Sequence, residues 1–176
     1  MHLLFGAPRA AVTTPAEQAP SPAPRRPKPL LILGLGNPLM SDDGVGVRAA
    51  EMLAADPEVL RRADVVAGGS DLLRYMDLFE GRRRVILIDA AEGPGDPGDV
   101  SMVEDVPGGN RPESAHALSA PDALDLMRRV MPSLEETRFT WVLVRIRSAA
   151  IHPEISPEIA AALPRAAEVV RREALR

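Results

Sequence analysis

Two adjacent carboxylates, Asp42 and Asp43, close the turn "GLGNPLMSDDG" at residues 34–44, between an apolar run and an amphipathic one. Glycine-rich turns in this position commonly cradle phosphate on free backbone N–H groups, but a pair of carboxylates repels an anion. The turn is better suited to a cation. A second acid, Asp89, closes the apolar run "VILID". Burying an unpaired carboxylate is costly, so an Asp that ends a fully apolar strand should reach a cleft, a partner or a cation. Asp43 and Asp89, each at the carboxyl end of a strand and facing one crevice, suggest a cation site. His116, in the loop "ESAHALSAPDAL" just before a helix, could complete a carboxylate-carboxylate-imidazole set. Such a set suits a divalent borderline ion such as nickel or zinc.

Each residue also has an ordinary structural reading. Asp43 could favour the positive end of the helix that follows it. Asp89 could cap a loop backbone, and His116 could be a solvated surface residue. His152 is the rival ligand, and composition does not choose between the two histidines. Asp42 reads as an acceptor for backbone amides of the turn.

Other chemistries are excluded by what is missing. The chain has no Cys, so thiol nucleophiles, disulfides and thiolate metal sites fall away, and any metal must be held by Asp, Glu or His. There is no H-E-x-x-H, no G-x-S-x-G and no phosphate-binding G-x-x-x-x-G-K-S/T. Ser70 in "AGGSDLL" lacks the second glycine of a nucleophile elbow and reads as a helix cap. As a dinucleotide fingerprint "GLGNPLMSDDGVG" is poor, because its third glycine is misplaced and its aspartates oppose a pyrophosphate. A net charge of -4 gives no general affinity for nucleic acid, and no apolar run reaches the length of a membrane span. The short N-terminal "MHLLFGA" lacks a basic n-region, so a cytoplasmic protein is expected.

The elements that must position these residues follow from apolar periodicity. Residues 1–29 hold seven of the 18 prolines (Pro8, Pro15, Pro20, Pro22, Pro24, Pro27 and Pro29) and read as a disordered Pro/Ala-rich tail. From Leu30 on, residues 30–176 read as a single domain. "LLILGLG", "ADVVAGG" and "RRVILIDA" are strands, the first a continuous apolar run as expected of a strand buried on both faces. Ser41 is the expected cap of a helix running on to Asp56 and Pro57, and "SDLLRYMDLFEG" is a second helix with Ser70 at its cap and Gly81 past its end. After a Gly/Pro loop, "DVSMVEDV" is a short edge strand, "PDALDLMRRVM" a helix with Pro121 in its first turn, and "RFTWVLVRIR" a late strand. A C-terminal helix spans residues 156–174, with Ser156 as cap and Pro164 positioned to kink or split it. This alternation predicts an α/β, three-layer fold: an open, mostly parallel twisted sheet with helices on both faces. Ligands of such sheets bind outside the carboxyl ends of the strands, where Asp43 and Asp89 lie.

In order, "LILGLGNPLMSDDGVGVRAAEML", "VVAGGSDLL", "VILIDAA", "ESAHALSAPDAL" and "SPEIAAALPRAAEVV" resemble the nickel-iron hydrogenase maturation endopeptidases over most of residues 30–175. The resemblance implies removal of a C-terminal peptide from a hydrogenase large-subunit precursor after nickel insertion, with the nickel arriving in the substrate as the recognition element. It matches the family's metal-binding acid in the Gly-Asn turn to Asp43, its acid at the strand end to Asp89, and its histidine before a helix to His116. These three would be both metal-binding and catalytic, and zinc or another divalent ion could take nickel's place in isolation. Gly68 and Gly69 match a glycine pair beside the cleft, and with Ser70 they are the expected substrate-binding loop. The chain departs from the family at Ala67, where an acidic residue is common, and at Arg145, Arg147 and Ser148 after the late strand. An acidic precursor tail would suit those arginines. A non-catalytic nickel-binding chaperone of the same fold would carry the same ligands. The opening also resembles peptidyl-tRNA hydrolase in "GLGNP", but "LMSDDG" replaces the Asn and downstream Arg-His-Asn of that family.

Overall fold

The computed structural model describes residues 26–104, 119–149, 151–152 and 154–176. Among these residues, five strands, β1 (Leu30–Gly34), β2 (Ala63–Ala67), β3 (Arg84–Ala91), β4 (Val100–Glu104) and β5 (Arg138–Arg145), form one sheet in the order β2-β1-β3-β5-β4. The pairs β1–β2, β1–β3 and β3–β5 are parallel, and β4 lies at the edge, both as the sequence predicts, and β4 pairs antiparallel with β5. Among the described residues, four α-helices accompany the sheet: α1 (Val45–Ala54), α2 (Pro57–Arg62), α3 (Ala120–Val130) and α4 (Pro157–Leu175).

The period-two alternation of strand side chains separates two apolar layers. Leu31, Leu33, Val85, Leu87, Phe139 and Trp141 point to one face, where Leu72, Phe79, Leu124 and Met127 cover them. Leu30, Ile32, Ile86, Ile88 and Val142 point to the other and meet Ala49, Leu53 and Val170 from α1 and α4. Burial on both faces explains why β1 and the centre of β3 read as unbroken apolar runs.

Several local expectations are corrected. Ser41 caps no helix: at φ 50 it begins a 3-10 turn, Ser41–Gly44, and its hydroxyl donates to Glu154 O at 2.8 Å. The first helix stops at Ala54, and Asp56 starts α2 by accepting from Glu58 N. The segment Leu72–Phe79 is 3-10 rather than α-helical, and Asp71, not Ser70, caps it. Helix α4 runs unbroken through Pro164, with Ser156 as its cap.

The tail reaches into the domain at its last residues. Lys28 O accepts from the buried Arg82 Nη1 at 2.7 Å, and Pro29 O accepts from Arg83 N and Arg84 N. Deleting residues 1–25, which lie outside the described residues and carry no periodic apolar pattern, is therefore expected to leave stability unchanged. Deletion through Pro29 removes those acceptors and is expected to cost about 1–3 kcal/mol. Urea unfolding of the two truncations checks this, and a large loss in the shorter truncation would contradict it. Among the described residues no helix is long and apolar enough to cross a membrane.

Candidate active site

Strand β1 ends at Gly34, whose partner on β3 is Ile88, while β3 continues to Ala91 beside β5. Asp89 is thus not the end of its strand, as expected, but the first residue of β3 past the point where β1 leaves the sheet. Since β1 pairs with β2 on its other side, this is the topological switch point, where a parallel sheet opens a crevice. The chain leaving β1 turns at Gly36 (φ 115), and a Cβ there would lie 1.8 Å from Asp43 O, so only glycine fits. The turn brings Asp43 back to the crevice, where Asn37 N donates to its carboxylate at 2.7 Å.

Backbone contact between α1 and the sheet holds the two acids together. A Cβ on Gly46 would meet Ile88 O at 2.2 Å and Leu35 O at 2.5 Å, and one on Gly34 would meet Gly46 O at 2.1 Å. Gly46 follows Asp43 closely in sequence, and Ile88 directly precedes Asp89. Gly46 therefore seats the helix on the strand at the site.

Asp43 and Asp89 line one cleft of about 560 Å³, together with Gly36, Ser70, the α3 start at Ser119–Pro121, Trp141 and Arg145. Among the described residues Asp89 accepts one hydrogen bond, from Ala90 N at 2.9 Å. Desolvation pushes its carboxyl up to about 7, against the opposing Ala90 N–H and with a lesser push from the charge of Asp43. A buried acid whose ionisation is opposed by desolvation and by a second carboxylate in the same cleft is in an environment that a cation relieves.

The remaining predicted residues divide. His116 lies outside the described residues, three positions before Ser119 in the sequence. His152 is exposed and lines a different pocket with Asp42 and Arg147, where its carbonyl accepts from Ser41 N at 2.6 Å. Asp42 does bond a backbone amide, but that of Ser156 at 2.7 Å and not one of its own turn, so it ties the turn to α4. Ser70 lines the aspartate cleft, and with Gly69 it lines an adjoining groove beside Gly36 and Asn37. Gly68 has a packing role: its N–H donates to Gly34 O at 2.9 Å, and a Cβ there would crowd Leu33 and Gly34. The sequence reading omitted Trp141 and the start of α3 from the site. Register could have found Trp141, which shares a sheet face with Leu87 and so with Asp89.

The family of hydrogenase maturation proteases matches residues 47–173. The chain belongs to that family. A 31% identity with protein FrxA of Pyrococcus furiosus covers 74% of this chain and 94% of the relative. The hydrogenase expression/formation protein HupD of Rhizobium leguminosarum bv. viciae is 35% identical over 53% of this chain, which spans 45% of that relative's length. Among solved structures, the NiFe hydrogenase maturation protease HybD of Thermococcus kodakarensis aligns with a TM-score of 0.63 and 27% identity, over 82% of this chain and 98% of its own. Membership in the hydrogenase maturation protease family sets aside the peptidyl-tRNA hydrolase alternative. The family match covers Asp89 but begins after Asp43, whose position in the cleft comes from its turn.

Proposed function

We propose that the chain is an endopeptidase acting in the cytoplasm, that it removes the C-terminal peptide of a hydrogenase large-subunit precursor, and that Asp43, Asp89 and His116 hold the nickel carried by that substrate. The observation that supports this most is the placement of Asp43, from the turn after β1, and Asp89, from β3, in one cleft at the switch point of the sheet. Two carboxylates and an imidazole suit nickel, or zinc in its place. An ion so held can polarise a scissile carbonyl and lower the pKa of a bound water, which makes a Ser or Cys nucleophile unnecessary. Ser70 and Gly69, along the adjoining groove, would border the peptide backbone.

Incubating the protein with nickel-loaded and nickel-free precursor tests the reading. Cleavage confined to the loaded precursor supports it, while binding without cleavage indicates a nickel-binding chaperone. In the same assay His116→Ala is expected to abolish processing and His152→Ala to retain most of it, because His152 borders a separate pocket. Equal loss in both would overturn the assignment of the imidazole.

A further inference from the structure

The cleft has a basic rim as well as an acidic one. Arg145 ends β5 opposite Ala91, two residues beyond Leu143, the partner of Asp89. At a strand rise of about 3.3 Å, its Cα lies about 7 Å further along the strands than that of Leu143. Arg145 Nη1 donates to Ala91 O at 3.2 Å and Glu92 O at 2.6 Å, which uses both hydrogens of that nitrogen. Nε–H and the two hydrogens of Nη2 have no acceptor among the described residues, and Arg145 forms no ion pair among them. The loop around it leaves room for the guanidinium: Gly93 and Gly95 both take positive φ, and a Cβ on Gly93 would press on Nη1 at 2.9 Å. Arg147, two residues on, lines the other pocket, so the two arginines after the late strand have separate surroundings.

We propose that Arg145 is a specificity-determining residue of this cleft, which binds a carboxylate of the precursor segment on its free Nε–Nη2 edge while the Asp43–Asp89 end takes the cationic part of the substrate. This rests on the processing activity proposed above. The free edge of a guanidinium matches the two oxygens of a carboxylate, and a guanidinium already anchored through Nη1 loses little freedom on binding. A carboxylate placed at the other end would meet Asp43 and Asp89 and be repelled. The two ends together fix the direction and register of the peptide. The acidic residue is expected about two to three positions from the group held at Asp89, given about 3.3–3.6 Å per extended residue.

Trp141, the only tryptophan, lines the same cleft, so its fluorescence reports occupancy whether or not a peptide is cut. The full chain is titrated with a Gly/Ala decapeptide carrying one Glu and with the same peptide carrying Gln. The Glu peptide is expected to bind at least about tenfold more tightly, the lower end for close charge pairs across interfaces. That preference is expected to vanish in Arg145→Gln and to persist in part in Arg145→Lys. On nickel-loaded precursor, Arg145→Gln is expected to raise KM with kcat within about twofold, and neutralising one acidic residue of the precursor should raise the wild-type KM similarly with no further effect in the variant. No preference for Glu in the wild type overturns the proposal, as does an unchanged KM in a folded Arg145→Gln. If wild type cuts no precursor but the Glu preference and its loss in Arg145→Gln hold, the activity reading fails and the Arg145 assignment stands. If Arg145→Gln does not fold, the wild-type comparison of the two peptides decides.

Discussion

At pH 8 and without metal, Asp89→Asn is expected to be more stable than the wild type, by at most about 4 kcal/mol, while its processing of nickel-loaded precursor falls by at least about a hundredfold. The stability follows from the environment of the carboxyl. In the fold its pKa is raised from the ordinary 3.8 to about 7, by desolvation and then by the charge of Asp43. Below pH 4 the group is protonated in the folded and unfolded states alike, and the contribution of its raised pKa to folding is fully present. As pH rises towards 7 the unfolded chain has already released the proton that the folded chain retains. Stability therefore falls across the window from about 4 to about 7, and the loss is complete above it. Asn does not titrate, so the variant lacks this fall and overtakes the wild type in alkaline solution. A cation between Asp43 and Asp89 reverses the balance, since it favours both ionised carboxylates. Thermal unfolding from pH 4 to 8 without metal, alongside processing per folded molecule, checks both halves. An Asp89→Asn that is destabilised at every pH and still cleaves normally would show that Asp89 only ties the loop through Ala90 N.

How much of this was legible in the sequence follows from which contacts are local. The strands β1, β2, β3 and β5 contain apolar runs separated by helical or turn segments, so their order along the chain and the mostly parallel class could be read directly. The cap Ser156 was readable because side-chain capping is a matter of spacing within one turn. Ser41 and Ser70 have the same residue type but not the same role, because the partner of Ser41 is Glu154, 113 residues away, and Asp71 competes with Ser70 at the next position. The 3-10 form of Leu72–Phe79 was likewise hidden, since its apolar spacing also fits an α-helix. At the site, the residue types of Asp43 and Asp89 carried the reading. Their shared cleft depends on β1 lying between β2 and β3, which no local pattern states. Arg145 and Arg147 differ because β5 ends at Arg145, so no strand holds Arg147, and the loop at Gly93 and Gly95 borders the Arg145 guanidinium.

Gly46→Ala is expected to cost at least about 3 kcal/mol and to lower processing beyond the loss of folded protein. The added methyl would sit 2.2 Å from Ile88 O and 2.5 Å from Leu35 O, both backbone atoms of the buried sheet that no rotamer change can move aside. Either α1 lifts from the sheet or β3 is displaced. Lifting α1 opens the packing of Val45, Val47 and Ala49, all buried. It also carries Asp43 away from Asp89, because Asp43 lies three residues before the contact and Asp89 one residue after Ile88. A single methyl group outside the cleft should thus separate the two carboxylates within it, and with them the cation geometry, for which misplacements near 1 Å are costly. Gly69→Ala is the matched control: its methyl would meet only Tyr75 Oη at 3.5 Å, an ordinary contact, and stability should stay within about 0.5 kcal/mol of wild type. Urea unfolding of both variants tests the steric half, and processing per folded molecule tests the coupling to the site. A Gly46→Ala protein as stable as Gly69→Ala would mean that α1 does not touch the strand backbone as described. One that is destabilised but fully active when folded would mean that the spacing of Asp43 and Asp89 does not limit the reaction.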